Sequence, residues 1–321
     1  MRFIIYGTGA IGATVAGRLK QSGHDVIAIA RGAHARALRE RGLVLESHDG
    51  RANIALTVVE HPSEVAWRAD DVVLLGVKTQ DAIGALDALA ATAPADIPVV
   101  LLQNGVETER LAARRFEHVY GICVMLPAVH LEPGVVQAFG TPLTGVLDIG
   151  RFPRGRDALS ERVAAALSAS TFASEARDDI LQLKYAKLLV NLGNAIDALC
   201  GPSARGGRLA DLARQEAELC FAAAGIAYDR DLGAKRARAF TAQPLGDQGR
   251  PGSSSWQSLA RATGSIETDY LNGEIVLLGR LWGVPTPVNA LLQRLSNERA
   301  RARLPPGGLV EDVVLSLLTP A

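Results

Sequence analysis

Residues 2–31 read RFIIYGTGAIGATVAGRLKQSGHDVIAIAR, and their pattern decides the fold of the first half of the chain. An apolar run at 3–6 is followed at once by the glycine-rich turn 7–12 and then by apolar residues at helical spacing. A second apolar run, at 25–30, comes after Gly23. Apolar runs on both sides of a helix are typical of buried parallel strands joined by a crossover helix. The stretch therefore predicts a strand–turn–helix–strand unit.

The glycines of the turn have the spacing G-x-G-x-x-G. In such a unit the first glycine allows the tight turn, and the second leaves backbone N–H groups open to a pyrophosphate. The third permits close packing of helix on strand, and the helix N-terminus favours an anion. We therefore predict a dinucleotide site, the alternative being a purely structural unit. The predicted contacts are Gly7, Thr8, Gly9, Ala10, Ile11 and Gly12.

The residue after the second strand, Arg31, bears on the choice of cofactor. NAD-binding units usually carry Asp or Glu here to hold the ribose 2′-OH. A carboxylate would repel a 2′-phosphate, whereas a guanidinium can bind it through parallel hydrogen bonds. NADP is therefore favoured over NAD, the alternative being an ordinary solvated arginine at the end of a strand.

Length and composition limit the class of protein. The chain has 321 residues, of which 48% are hydrophobic and 21% charged, as in a soluble globular protein with room for two domains. A formal net charge of zero argues against broad binding to nucleic acid or to anionic membranes, which needs a basic surface. Since no apolar run approaches the ~20 residues of a membrane span and the first strand begins at residue 2, we expect neither a membrane segment nor a signal peptide.

The cysteines are Cys123, Cys200 and Cys220, which are widely spaced and odd in number. They form no C-x-x-C or other metal-ligand spacing, so we expect no metal site. Reduced, buried thiols are typical of a cytoplasmic protein, and we predict that location.

Two further apolar runs, within 70–78 and 98–105, predict buried strands with polar residues at their ends. Lys78 follows the first run and Asn104 the second. Strands that alternate with helices imply a parallel sheet, whose ligands lie at the carboxyl ends of the strands. Lys78 and Asn104 are therefore candidate site residues, with ordinary loop positions as the alternative.

The remainder of the chain changes character towards its second half. Short β segments broken by prolines at 120–149 are expected to extend the sheet in antiparallel fashion. Later, long helical patterns dominate without a clear strand, and a segment rich in Gly and Pro at 241–255 predicts a loop. We therefore predict an α/β fold with an N-terminal Rossmann-type dinucleotide-binding domain over 1–176 and an all-helical C-terminal domain over 177–321.

A helix predicted over 179–199 carries a narrow polar stripe. Lys187, Asn191 and Asn194 follow at i, i+4 and i+7, so they share one face. Asparagine is a poor helix former, and two of them in a leucine-rich helix cost stability without a local gain. Such a stripe lines a cleft or holds a partner, unless the face is merely solvated.

A second polar cluster, GSIETDYLNGE, occupies residues 264–274. An apolar run follows and ends at Gly283-Val284-Pro285, a typical helix stop. Glu267 and Asp269 also suit the role of first-turn carboxylates that favour the helix dipole. The pattern alone does not choose between them as site residues.

These residues together resemble the ketopantoate reductases, also called 2-dehydropantoate 2-reductases, over nearly the whole chain. The resemblance is carried by GTGAIG at 7–12, Arg31, VK at 77–78 with Gln80, QNG at 103–105, KLLVN at 187–191 and E-T-D-Y-L-N-G at 267–273. The K-x-x-x-N and E-x-D-Y-x-N-G pieces are the specific ones.

The resemblance implies NADPH-dependent reduction of 2-dehydropantoate to pantoate, with Lys187 as the general acid and Glu267 binding the substrate hydroxyl. It implies that Asn104 lies beside the nicotinamide, within reach of cofactor and substrate, and that Lys78 lines the cleft. It also implies that Asn191 and a serine before the second motif hold the substrate. The expected partner is a small 2-keto acid, with a homodimer as an option and neither nucleic acid nor membrane.

Two departures from the family pattern concern the substrate pocket. Many members have a second asparagine four residues after the first, where this chain has Ala195, and its own asparagine, Asn194, comes one residue earlier. We count Asn194 among the substrate residues. The serine segment allows Ser254 or Ser255, and Ser255 is favoured. The alternatives are a same-fold NADPH-dependent reductase of a different 2-keto acid, or a non-catalytic NADP-binding regulator, which has no use for the lysine.

Overall fold

The computed structural model describes residues 1–246, 249 and 251–318, and the side chains of all of these except 235–237. The chain forms two compact units. The first comprises residues 1–183 together with a segment that begins at Arg230, and the second comprises residues 184–229 and the chain from Pro251 onwards. The predicted division, between residues 176 and 177, lies a few residues earlier, and the prediction contains no returning segment.

Strands and helices alternate through the first half of the chain. In order they are β1 (Arg2–Tyr6), α1 (Ala10–Gln21), β2 (Asp25–Ile29), α2 (Gly32–Arg41), β3 (Leu43–Ser47), β4 (Gly50–Ile54), β5 (Thr57–Val59), β6 (Asp71–Leu75), α3 (Ala82–Ala90), β7 (Val99–Leu101), α4 (Glu107–Ala113), β8 (Val119–Met125), β9 (Ala128–Val129), β10 (Val135–Ala138), β11 (Gly140–Pro142), β12 (Gly145–Arg151), α5 (Ala158–Ser168) and β13 (Phe172–Ala173).

The second half of the chain is mainly helical. Its elements are α6 (Ile180–Asn191), α7 (Gly193–Cys200), α8 (Arg208–Ala224), α9 (Leu232–Ala239), β14 (Phe240–Ala242), α10 (Ser254–Ala260), α11 (Asn272–Trp282), α12 (Pro287–Arg301) and α13 (Glu311–Ser316). The predicted fold class, a Rossmann-type domain followed by a helical region, is confirmed.

The central sheet of the first unit has the strand order β13–β12–β8–β7–β6–β1–β2–β5. The pairings along β8–β7–β6–β1–β2–β5 are all parallel. Strand β12 pairs antiparallel with β8, as the sequence predicts. The chain leaves β1 towards β2 and later returns to β6 on the other side of β1. In doubly wound sheets, ligands bind at the carboxyl ends of the strands beside such a reversal.

Strand β1 shows why its apolar run is continuous. Phe3 and Ile5 pack against α1 on one face of the sheet, while Ile4 and Tyr6 pack against α3 on the other. A strand buried on both faces needs an apolar side chain at every position. Each large side chain removed from water contributes roughly 1.5–3 kcal/mol to folding.

Two smaller sheets complete the first unit, in the orders β4–β3–β10–β9 and β11–β14. Strand β14 corrects the prediction that no strand follows residue 176. It takes residues from the start of the predicted 241–255 loop, and α10 takes two from its end, while 247, 248 and 250 lie outside the described residues. The reason is tertiary, because β14 pairs with β11 about 100 residues away in sequence.

In the second unit, α11 packs against α8 and α12, and α7 packs against α10 and α12. The core there is built from apolar side chains of α7, α8 and α12, including Ile196, Leu209 and Leu292. Helix α11 ends where predicted, because Gly283 adopts the left-handed conformation with φ of 70°.

Candidate functional site

The glycine-rich turn connects β1 to α1. Gly7 has φ of 98°, and a Cβ there would lie 2.5 Å from the Val77 nitrogen, so only glycine fits. A Cβ on Gly12 would collide with the carbonyl oxygen of Gly7. At Gly9, by contrast, a Cβ would meet no atom within 4 Å. The turn therefore offers open backbone beside the N-terminus of α1, which fits the phosphates of a dinucleotide.

The turn forms one wall of a cleft of about 830 Å³ at the carboxyl ends of β1, β2 and β6. Of the predicted cofactor residues, those that line it are Gly7, Thr8, Gly9, Arg31 and Lys78. Those that do not line it are Ala10, Ile11, Gly12 and Asn104. A concave site of this size is typical of small-molecule and cofactor binding.

Arg31 is exposed at the entrance to α2, and its Nη2 donates a hydrogen bond to the Tyr6 hydroxyl at 3.3 Å. Tyr6 is almost fully buried at the end of β1, so its hydroxyl is held in place by the sheet. The contact restricts the guanidinium to the rim of the cleft. The sequence does not indicate this role for Tyr6, because a tyrosine in a buried strand has the same pattern as any core residue.

The buried Gln103 follows β7, and its Nε2 donates to the carbonyl oxygens of Leu75 at 2.8 Å and Val77 at 2.9 Å. These bonds hold the chain that leads from β6 to Lys78 in the cleft. The next residue, Asn104, is half-buried. Gln103 therefore positions the end of a neighbouring strand, a role for which the sequence has no local signal.

His34 and His130 also line the cleft, with ring centroids 4.4 Å apart. Nδ1 of His34 accepts the backbone N–H of Gly134 at 2.9 Å, so the neutral ring carries its proton on Nε2. Burial and the adjacent His130 lower the pKa of His34 to about 4, against a smaller opposing effect of the Thr8 backbone. The ring is therefore neutral at neutral pH.

The helix predicted over 179–199 is two helices in the structure. Helix α6 ends at Asn191, and α7 begins at Gly193. Glycine is a poor helix former, and the Leu192 carbonyl at the break accepts a hydrogen bond from Nδ2 of Asn272 at 3.4 Å. A buried side chain 80 residues away therefore helps to fix the break, which local periodicity does not reveal.

Lys187 and Asn191 remain together on α6. The Lys187 Nζ donates to the Asn191 Oδ1 at 2.7 Å. Lys187 is half-buried, Asn191 is 2% exposed, and the intervening Leu188 and Leu189 are buried. The ammonium group is therefore oriented by a neutral acceptor within a largely apolar surface.

Asn194 is the second residue of α7 and is also buried. Its Oδ1 accepts from Nη2 of Arg205 at 3.3 Å, and its backbone carbonyl accepts from the Ser253 hydroxyl at 3.3 Å. Ser253 also caps α10. Ser255 is buried within α10, and its hydroxyl makes no hydrogen bond to a described residue. The choice of Ser255 over Ser254 stays a prediction.

Glu267 and Asp269 lie in a short 3-10 helix before α11. Asp269 is exposed and accepts from Nε2 of Gln293 at 2.7 Å and Nδ2 of Asn297 at 2.6 Å, which ties the segment to α12. Glu267 is 8% exposed. Burial lowers the pKa of Arg261, and the Glu267 carboxylate partly offsets that shift, so the two charges interact.

Within the described residues, no group of three or more His, Cys, Asp or Glu side chains could hold a metal ion. Cys123, Cys200 and Cys220 are free thiols. No helix in the same part of the chain is long and apolar enough to cross a membrane. The expected cytoplasmic location, the homodimer and the lack of nucleic-acid binding stay predictions.

Comparison with known proteins identifies relatives along nearly the whole chain. The family model for ketopantoate reductase PanE/ApbA matches residues 3–154, and the model for its C-terminal domain matches 179–300. A 2-dehydropantoate 2-reductase of Mesorhizobium japonicum is 32% identical over 93% of this chain and 99% of that protein. One from Archaeoglobus fulgidus is 30% identical over 92% and 96%, respectively.

Solved structures of similar fold include a member of the same family. A PanE/ApbA family ketopantoate reductase from Ralstonia eutropha JMP134 superposes with a TM-score of 0.79 at 28% identity, covering 94% of this chain and 99% of that one. The ternary structure of D-mandelate dehydrogenase with NADH and anilino(oxo)acetate has a TM-score of 0.81 at 24% identity, with the same coverage. The latter likeness shows a shared fold.

The chain contains a Rossmann-type unit with an open glycine-rich turn. Named reductases match nearly its whole length, so the protein is an oxidoreductase that acts on a CH–OH group. The chain belongs to the ketopantoate reductase family. The resemblance noted in the sequence is thereby confirmed. The family and the cleft together indicate a nicotinamide dinucleotide as the cofactor.

Proposed function

We propose that this protein catalyses the NADPH-dependent reduction of 2-dehydropantoate to pantoate, with Lys187 as the general acid. The observation that carries the proposal is the 2.7 Å hydrogen bond from the Lys187 ammonium to Asn191 on a largely apolar helix. The names of relatives that are 27–32% identical support the choice of substrate.

The test is direct. Purified protein is mixed with NADPH and 2-dehydropantoate, and the absorbance of the reduced nicotinamide is followed. Oxidation that depends on the keto acid supports the proposal. Binding of NADPH without turnover of any keto acid contradicts it and supports a regulator instead.

Bound NADPH supplies the hydride that reduces the ketone carbon. Negative charge then develops on the ketone oxygen, where the Lys187 ammonium stabilises it and donates the proton. Asn191 keeps the ammonium in one orientation, so little reorganisation is needed during the reaction.

NADPH is proposed over NADH because of the rim of the first-unit cleft. The open backbone at Gly9 suits the pyrophosphate, and Arg31 suits the 2′-phosphate. The bond from Arg31 to Tyr6 restricts the guanidinium to this rim before the cofactor binds. A restrained side chain loses less entropy on binding.

We expect Arg31→Ala to raise the Kd of NADPH about 10- to 100-fold, because hydrogen bonds to a charged group contribute roughly 1.5–3 kcal/mol. The Kd of NADH should change little, because NADH lacks the 2′-phosphate. Fluorescence titration with both cofactors measures the difference. Arg36→Ala, which removes an exposed arginine within α2, is the matched control. An equal loss for both cofactors would remove Arg31 from this role.

The substrate is proposed to lie against residues of the second unit. The buried Glu267 carboxylate accepts the substrate hydroxyl, while Asn191 and Ser255 contact the carboxylate end. Asp269 suits this role less, since it is exposed and already bonded to α12. If the site requires the hydroxyl, a keto acid that lacks it leaves the Glu267 carboxylate without that donor and is disfavoured.

Glu267→Gln keeps the shape of the side chain and removes its charge. We expect the KM for 2-dehydropantoate to rise about 10-fold or more, because a charged acceptor is lost, and the Kd of NADPH to stay unchanged. Steady-state kinetics on Glu267→Gln and on the control Asp269→Asn separate the two carboxylates. A rise in KM confined to Asp269→Asn would transfer the substrate contact to Asp269. Collapse of NADPH binding in Glu267→Gln would make Glu267 structural.

A second candidate is a reductase of the same fold that acts on a different 2-keto acid. Two features of α7 favour it. Ala195 stands where many family members have an asparagine, and the Asn194 side chain is bonded to Arg205. Comparison of kcat/KM for 2-dehydropantoate and for other 2-keto acids decides between the two candidates.

A further inference from the structure

Arg205 is a cation beside Asn194 that the family pattern does not explain. It lies, half-buried, in the short 3-10 helix between α7 and α8. Its Nη2 donates to the Asn194 Oδ1 at 3.3 Å. A Cβ built on Gly193 would lie 3.8 Å from the Arg205 Nε. The guanidinium is therefore packed across the first turn of α7.

Arg205 forms no ion pair with a carboxylate of the described residues. The carboxylates of Asp197 and Glu311 accept hydrogen bonds from other groups. Asp197 accepts the backbone N–H at the start of α10 at 2.5 Å. Glu311 accepts the backbone N–H of Leu209, at the start of α8, at 2.8 Å. The charge of Arg205 is thus left without a protein counter-ion in this part of the chain.

The donor groups of the Arg205 guanidinium suit an anion. A guanidinium has several N–H donors in a planar fork that matches a carboxylate, and the bond to Asn194 uses a single nitrogen. An anion bound here would satisfy the free donors.

We propose that Arg205 binds the carboxylate of the 2-keto acid substrate, with Asn194 as an oriented second donor. Because the Asn194 Oδ1 accepts from Arg205, its Nδ2 is the group left to donate. Asn194 follows Asn191, the partner of Lys187, by about one helical turn, or roughly 5 Å. Ketone and carboxylate of a 2-keto acid are on adjacent carbons, so their binding groups must be close neighbours.

This inference rests on the proposed function and refines its substrate class. A carboxylate site built only from asparagine and serine would also accept an uncharged analogue of the substrate. A guanidinium binds the charged acid much more strongly than such an analogue. The enzyme should therefore require a free carboxylate next to the ketone, whichever side chain the substrate carries beyond it.

The experiment compares 2-oxoisovalerate with its methyl ester, as substrates or as competitors of 2-dehydropantoate. In Arg205→Gln, we expect kcat/KM or inhibition constants for the acid to worsen about 10- to 100-fold, as for loss of a charge-assisted hydrogen bond. Values for the ester should stay within about 2-fold, because the ester lacks the charge. The Kd of NADPH and the thermal melt should match wild type. Arg205→Lys should restore part of the loss.

Arg208→Gln is the matched control, since Arg208 is exposed and lies three residues further along the chain. If Arg205→Gln melts early, Asn194→Asp is the second variant. An aspartate at 194 keeps the shape, pairs with Arg205 and competes with the substrate carboxylate, so it should give the same selective loss for the acid.

Equal losses for acid and ester, or an unchanged Arg205→Gln enzyme, would overturn the inference and leave the proposed function standing. A wild-type protein that reduces no 2-keto acid would contradict the proposed function and this inference together.

Discussion

Replacing Lys187 with alanine is expected to lower kcat by roughly 10²–10⁴-fold, the range typical of a positioned general acid. The ammonium is held at 2.7 Å from the Asn191 Oδ1, and removal of this proposed general acid would leave the forming alkoxide without a proton donor. The variant should fold, because a half-buried polar side chain contributes little core packing. It should also bind NADPH, since Gly9 and Arg31 belong to the first-unit cleft.

Three measurements establish the result: kcat, the Kd of NADPH and the thermal melt. Lys20→Ala is the matched control, because Lys20 is also half-buried near the end of a helix and has no proposed role. Lys187→Arg should recover little activity, since a guanidinium is larger and does not release its proton in proteins. Near-native kcat in a well-folded Lys187→Ala would contradict the assignment, and Lys78 would be tested next.

The second large effect concerns stability. Arg2 and Asp71 join β1 to β6 through two hydrogen bonds, at 2.6 and 2.7 Å, and both side chains are buried. The bond to Asp71 raises the pKa of Arg2 despite its burial, so the guanidinium stays charged. Asp71→Ala would leave that charge buried without its partner. We expect the free energy of unfolding to fall by about 3–5 kcal/mol.

A second arginine–aspartate pair in the same unit provides the control. Arg115 Nε and Asp87 Oδ1 are also 2.6 Å apart, but the Asp87 side chain is 59% exposed. Solvent screens such a pair, so Asp87→Ala should cost less than about 1 kcal/mol. Urea denaturation of both variants measures the two losses. Equal losses would show that burial does not determine the strength of these pairs.

The elements whose positions the sequence predicts correctly depend on residues that are close together in the chain. In residues 2–31, apolar runs and glycine spacing predict β1, the turn, α1 and β2 within a few residues. The same holds for the helix stop at Gly283, whose left-handed backbone is a property of that residue. Backbone freedom and the period of burial are local quantities, so a single sequence carries them.

Candidate site residues were also chosen from local patterns. Lys187 and Asn191 share a helix face by spacing alone, and the structure joins them by a hydrogen bond. The place of Arg31 directly after a strand predicts a site residue, and Arg31 lines the first-unit cleft. In both cases the relevant partners lie within one turn or at the end of one strand, where spacing limits geometry.

Other features depend on contacts between distant parts of the chain. The break between α6 and α7 involves Asn272, and strand β14 needs β11. Gln103 bonds to carbonyls at the end of β6 and just after it. Arg205 reaches Asn194 only because the chain turns back after α7. Periodicity records which face of an element is buried but not which residue it meets there. Those partners are selected by packing and by the pairing of buried polar groups, which exist only in the folded chain.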